Sequence, residues 1–203
     1  MKLAIIIGST RPGRETIKQA KWAEKVARES GYQETELVDL VDYPMPFFDE
    51  PASPRYNVNR QINPEAKKWL DKIESFDAYI FVTPEYNHSI PGVLKNAIDY
   101  ITWEIQRKPA AVISHGSNGG ARAMTDLKEI LSESRAAIIP SSSALAISQM
   151  SSKIDADGNL KAELKADPYG PENVLKSLLK EISWYSDALK PARDKITPGL
   201  ESA

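Results

Sequence analysis

Short runs of unbroken apolar residues alternate along this chain with longer stretches of helical period, and that alternation excludes most architectures before any motif is considered. The first run, Leu3-Ala4-Ile5-Ile6-Ile7, contains no polar residue. A strand wet on one face would alternate apolar with polar positions, whereas this run suits a strand covered on both faces, as in a parallel sheet between helical layers. Further strand segments occur at 35–40, on Leu37, Val38 and Leu40, and at 77–83, 109–114 and 136–139, the last prolonged through 144–147.

Helical stripes fill the gaps. Ile17, Ala20, Ala23 and Ala27 form the first, closed by Gly31. Asn63 caps a second, with Pro64 in its first turn and Ala66, Trp69, Leu70 and Ile73 facing inward. A third begins near Pro91 with Leu94, Ala97, Ile98 and Ile101, and a fourth carries Met124, Leu127 and Leu131. The last runs from Pro171 to about Lys190 on Leu175, Leu178, Leu179, Ile182 and Leu189. Five strands each followed by a helix predict an α/β three-layer sandwich with a five-stranded parallel sheet of order 2-1-3-4-5. We read residues 1–190 as one domain and 191–203 as a loose tail. Residues 43–63 hold four prolines and no sustained period, so they form a long loop, and 151–169 are a polar insertion with a turn at Asp157-Gly158.

Charge and cysteine content narrow the function. With 26 basic and 28 acidic residues the net charge is −2, so no global field draws the chain to nucleic acid or an anionic membrane, and any anion site must be local. The absence of cysteine removes disulfides, thiolate metal sites, iron–sulfur clusters and cysteine nucleophiles together. Met1-Lys2 leads straight into the first strand, which fits no signal peptide, and no apolar stretch reaches membrane-spanning length, so a cytoplasmic location is expected.

In sheet order 2-1-3-4-5 the loops after strands 1, 3 and 4 converge above the switch point. Loop one, Gly8 to Thr16 (GSTRPGRET), lacks both GxGxxG and GxxxxGK[ST], so it suits a terminal phosphomonoester better than a dinucleotide or a triphosphate. The hydroxyls of Ser9 and Thr16, backbone N–H groups and a guanidinium could satisfy three acceptor oxygens there. Alone, the segment is equally a basic strand-to-helix turn. Loop two, Thr83 to Gly92 (TPEYNHSIPG), is stiffened by two prolines and can read the edge of a flat heterocycle; alone, it is also an ordinary proline-rich connection. Loop three, Ser114 to Gly120 (SHGSNGG), allows close backbone approach or is simply a flexible turn. Together the three describe a pocket with a phosphate end and a planar end, the shape of FMN.

The segments GSTRPGR, PEYNHSIPGVLKNAIDY and HGSNGGARA resemble the NAD(P)H-dependent FMN reductase family of flavodoxin-like proteins, which includes quinone, azo and chromate reductases. The resemblance runs from Met1 to about Ile147. It implies a flavodoxin-like fold, noncovalent FMN, NADPH or NADH as co-substrate, ping-pong transfer to a small-molecule acceptor, and a homodimer or homotetramer. It also implies that Ser9, Arg11, Arg14, Glu15, Thr16 and Ile17 surround the FMN phosphate, that Pro84, Glu85, Tyr86 and Asn87 line the isoalloxazine, and that His115, Gly116, Ser117 and Asn118 lie near its pyrimidine side. Arg14 stands where many members have serine, and His115 where several have serine or an aromatic residue.

On this reading flavin N5 carries the chemistry, no side chain is required as acid or base, and no metal is expected. His88 is read as a backbone-bonding loop histidine, and Glu85 as fixing its loop or a subunit contact. The aromatics of 99–103 and of the Pro44–Tyr56 loop are expected to be exposed near the pocket mouth, at a subunit interface. A phosphatase of this shape needs a loop-one cysteine and a receiver domain needs an aspartate where Thr83-Pro84 stands, so both are excluded. A flavodoxin-type FMN electron carrier is the alternative, and a net charge of −2 argues against docking by charge.

Overall fold

A computed structural model describes residues 1–57, 59–140 and 145–195. Among the described residues six strands form one parallel sheet: β1 (Leu3–Ile7), β2 (Thr35–Asp39), β3 (Ala78–Pro84), β4 (Pro109–Gly116), β5 (Ala137–Ile138) and β6 (Ala146–Ser148). Their order is β2-β1-β3-β4-β5, and β6 also pairs with β4. The helices are α1 (Thr16–Glu29), α2 (Pro64–Glu74), α3 (Gly92–Asp99), α4 (Ala121–Glu133), α5 (Ala162–Ala166) and α6 (Pro171–Arg193). Right-handed crossovers put α1 on one face and α2, α3 and α4 on the other, because the first crossover moves along the sheet in the opposite sense to the next three. α6 packs with α1, while Trp69 of α2 donates its indole N–H to the Ala97 carbonyl of α3.

The all-apolar first run is the central strand that its composition demands. Leu3 to Ile7 are at most 2% exposed, with β2 on one side and β3 on the other. As expected, Asn63 caps α2, its side chain accepting from Glu65 N–H at 2.9 Å.

Three differences from the sequence reading have physical causes. The expected fifth strand is two short pieces: β5 pairs with Pro109 and Ala110, and β6 with Ser114 to Gly116. Ala137 and Ile139 donate to the Lys108 and Ala110 carbonyls, and the pairing stops at Pro140, whose ring holds φ at about −65°, away from the extended value of a parallel strand; Ala144, in the expected prolongation, lies outside the described residues. β4 runs two residues past its expected end, so His115 and Gly116 belong to the strand and not to loop three. α6 continues to Arg193, fastened by Lys190 Nζ to Asp77 Oδ1 at 2.7 Å and by Arg193 to the Arg107 carbonyl at 3.2 Å. Of the expected tail, 196–203 lie outside the described residues.

The polar insertion covers α1. Ile154 and Leu160 bridge across a turn whose Asp155 carboxylate accepts from the N–H groups of Asp157 and Asn159. A Cβ on Gly158 would fall 2.7 Å from the Trp22 backbone nitrogen, so only glycine lets this turn seat against the helix. Among the described residues no helix is long and apolar enough to cross a membrane.

Candidate functional site

The loops after β1, β3 and β4 meet at the carboxyl edge of the sheet, held by the register of β1 with β3 and of β3 with β4. Loop one leaves β1 at Gly8, whose N–H donates to the Val82 carbonyl at 2.9 Å. A Cβ there would lie 2.8 Å from both that oxygen and Leu94 Cδ2, so the approach requires glycine. Ser9 follows, fully buried. Pro12 and Gly13, the latter at φ +68°, make a turn closed by Arg14 N–H on the Arg11 carbonyl at 3.2 Å, the type II pattern. The chain then enters α1, whose N-cap Glu15 makes no side-chain cap; its carboxylate pairs with Lys18 at 2.8 Å. The first-turn N–H groups of α1 therefore lack an acidic cap.

At α4 the arrangement is the reverse. The Glu85 carboxylate reaches across from loop two and accepts from the N–H groups of Arg122 at 3.1 Å and Ala123 at 3.4 Å. One helix start carries its own anion and the other does not.

Loop two is a two-residue hairpin. Tyr86 and Ser89 exchange both backbone hydrogen bonds, at 2.9 and 3.0 Å, while Asn87 and His88 sit at φ +49° and +69° on its exposed tip, as a type I′ turn requires. Loop three returns through Gly119 and Gly120, at φ +78° and +75°. A Cβ on Gly119 would meet the Ala146 carbonyl oxygen at 2.5 Å.

Side chains lock the loops together. Ser9 Oγ lies 3.0 Å from the Tyr86 hydroxyl, Thr16 Oγ1 lies 2.9 Å from His115 Nε2, and Glu85 N–H donates to the His115 carbonyl at 2.8 Å. The Arg11 guanidinium lies 6.0 Å from the Tyr86 ring centroid, within cation–π range. Burial pushes the His115 imidazole down to about 4, partly opposed by the Glu15 carboxylate, so the ring is neutral at physiological pH.

Of the residues expected to bind cofactor, Ser9 contacts Tyr86 and Thr16 contacts His115. Pro84 is buried and registers against His115; Asn87, Ser117 and Asn118 are exposed at loop tips, Gly116 is half-buried beside Glu85, and Ile17 packs against the core. Two side chains point elsewhere. Arg14 binds the Asp39 carboxylate at the end of β2, and Glu85 binds the start of α4. The His115 side chain is committed to the Thr16 hydroxyl beneath loop one.

Sequence reasoning missed Asp39 and Gln19. Gln19 is fully buried on α1, its Nε2 3.5 Å from the Ser114 carbonyl and its Oε1 without a protein partner. The available signal was a polar residue inside the apolar stripe of α1. The expectation of exposed aromatics holds in part: Phe47 and Tyr56 are 84% and 80% exposed. Tyr100 is instead buried, donating its hydroxyl to the Pro46 carbonyl at 3.2 Å, and Trp103 is half-buried between Arg55 and Arg135.

At the opposite edge of the sheet a cavity of about 290 Å³ is lined by Glu74, Trp103, Glu104 and Lys108, among others. The Lys108 ammonium there already donates to the Glu74 carbonyl at 2.7 Å and the Tyr79 hydroxyl at 3.3 Å, and burial pushes its pKa down to about 8. These contacts tie β3 and β4 to α2, remote from the three loops.

Comparison with known proteins matches residues 1–150 to the family described as NADPH-dependent FMN reductase. A NAD(P)H-dependent FMN reductase of Schizosaccharomyces pombe is 32% identical over 146 residues, 72% of this chain and 73% of that protein. A NAD(P)H:quinone oxidoreductase of Solanum tuberosum is 34% identical over 137 residues, 64% of this chain and 66% of that protein. Among solved structures, the flavoenzyme NAD(P)H:(acceptor) oxidoreductase FerB from Paracoccus denitrificans superposes with a TM-score of 0.68 at 27% identity, covering 94% of this chain and 97% of that one. With the sheet order and the three interlocked loops, these matches establish that the chain belongs to the NADPH-dependent FMN reductase family, with a flavodoxin-like fold.

Proposed function

We propose that noncovalent FMN binds at the carboxyl edge of the sheet, and that the NAD(P)H-dependent FMN and quinone reductase activity of the family is carried out there on a small-molecule acceptor. One observation carries the assignment of the site: α1 begins without an acidic cap immediately beside the buried Ser9 hydroxyl, whereas the equivalent start of α4 is filled by Glu85. A phosphate supplies the anion that α1 lacks.

The residues fit that group. The Ser9 hydroxyl, the Arg11 guanidinium and the N–H groups of Glu15, Thr16 and Ile17 would hold the phosphate, with Arg14 held to one side by Asp39. The hairpin at Tyr86 and Asn87 and the loop from His115 to Asn118 would flank the ring. FMN, when bound, supplies a two-electron carrier that takes hydride from NADPH or NADH and yields it to a quinone-like, azo, flavin or metal-oxyanion acceptor. The chain's own residues bind and orient. Glu85 fixes loop two to α4, neutral His115 fixes loop one to β4, and the left-handed backbone of Asn87 and His88 closes the hairpin of loop two.

Self-association into a cytoplasmic homodimer or homotetramer belongs to the same reading. It is supported by the exposed rings of Phe47 and Tyr56, the latter bordering a groove with Ile98, Ile101 and Ile130, and light scattering measures it.

The test is direct. The purified protein should be yellow or take up added FMN, and NADH or NADPH should bleach it, with quinone restoring the colour. Failure to bind FMN rejects the site. A flavin that nicotinamide nucleotides cannot bleach makes the chain an electron carrier instead.

A further inference from the structure

The Ser9 side chain is completely buried, and two groups lie within hydrogen-bond distance of its hydroxyl, which stands beside the start of α1 where the phosphate cradle is proposed. Arg11 N–H donates to its oxygen at 3.4 Å, and the Tyr86 hydroxyl lies 3.0 Å away. A serine hydroxyl has one proton to give and two lone pairs to fill. Arg11 fills one of them. If Tyr86 fills the other, the Ser9 proton has nowhere to go except the cradle, where it meets an acceptor oxygen. A phenol is a better donor than an alkyl hydroxyl, and a phosphate offers only acceptors at neutral pH, so both partners favour this direction. Were Ser9 to donate to Tyr86 instead, it would present a lone pair to an anion.

We infer that Tyr86 is a positioning residue for the phosphate: its hydroxyl donates to Ser9 Oγ, and this orients the Ser9 proton as an obligatory donor into the cradle. The inference rests on the FMN reading above and deepens it. Tyr86 belongs to the hairpin that flanks the proposed ring site, 77 residues along the chain from Ser9. The bond therefore also fastens the ring-side loop to the phosphate-side loop. The same ring lies under the Arg11 guanidinium at 6.0 Å, so one side chain contacts both a hydroxyl and a cation expected at the phosphate.

Tyr86→Phe separates the two contacts, because it keeps the ring beneath Arg11 and deletes only the hydroxyl. FMN and riboflavin, which differ by the phosphate alone, are the probes, titrated by quenching of flavin fluorescence against wild type, Tyr86→Phe, Ser9→Ala and the double variant. Wild type should prefer FMN. Tyr86→Phe should weaken FMN about threefold to tenfold, the scale of one hydrogen bond to a charged group transmitted through a neighbour, and leave riboflavin within about twofold. Ser9→Ala should weaken FMN at least as much, and adding Tyr86→Phe to it should cost nothing further. Riboflavin binding and the thermal melt report whether each variant has folded. An unchanged preference for FMN in Tyr86→Phe, equal losses for both flavins, or additive losses in the double variant overturn the inference while leaving the FMN site standing. A wild-type protein that binds both flavins equally removes the phosphate cradle and the inference with it.

Discussion

His115 Nε2 lies 2.9 Å from Thr16 Oγ1, joining the end of β4 to the first residue of α1 through two side chains buried from water. Burial lowers the imidazole from 6.5 to about 4. The unfolded chain therefore binds a proton between those values that the folded chain refuses, and stability from this site is complete above about pH 6.5 and lost as pH falls toward 4. The loss is on the order of 3 kcal/mol at most. Urea titrations at pH 7.5, 6 and 4.5 should show a steeper decline for wild type than for His115→Asn. Parallel declines would remove His115 as the titrating group.

Arg14 is held by Asp39, whose other oxygen accepts from Val41 N–H at 3.1 Å. Asp39 is also the carboxylate at the end of β2, in register with Ile7, just before the cradle. Asp39→Asn should remove a competing anion, free the guanidinium and tighten FMN binding about threefold to tenfold at low ionic strength, with a smaller gain at high salt. Fluorescence titration at two salt concentrations measures both. Weaker FMN binding in this variant would mean that the ion pair shapes loop one.

Gly8→Ala would place a methyl group 2.8 Å from the Val82 carbonyl oxygen and Leu94 Cδ2. Leu94 can yield, but the strand carbonyl cannot. A loss of about 1–3 kcal/mol is expected in chemical denaturation. No change in the denaturation midpoint would show that β1 and β3 separate freely at their carboxyl ends.

Glu85→Gln keeps an acceptor at the start of α4 but removes the charge, and also breaks the 3.6 Å pairing with Arg122. A cost of about 0.5–2 kcal/mol follows from losing a charged cap, and Glu85→Ala should cost more. Denaturation midpoints of the two variants give the order; a reversed order would place the role of this carboxylate outside α4.

Much of the architecture was legible because its signals are local. A five-residue apolar run such as Leu3–Ile7 declares a strand covered on both faces, Asn63-Pro64 declares a helix start, and a helical stripe declares its own buried side. Pro140 was also visible, but the runs on either side of it read as one strand because apolar content does not reveal where a ladder breaks. The three loops were found where the strand order put them. The choice of partners within them was not legible, since Asp39, Glu85 and His115 carry charge or ring nitrogens that suit several neighbours.

The sequence by itself determined the order of strands and helices, the place of the three loops and the residue types gathered there, because periodicity, capping and turn chemistry act over a few residues. Only the tertiary structure decided that Arg14 is bound by a carboxylate 25 residues away, that Thr16 meets a histidine 99 residues on, and that Ser9 meets Tyr86. Hydrogen-bond and ion-pair choice depends on distances of a few ångströms between groups far apart in the chain, and those distances exist only once the sheet has brought its strand ends together.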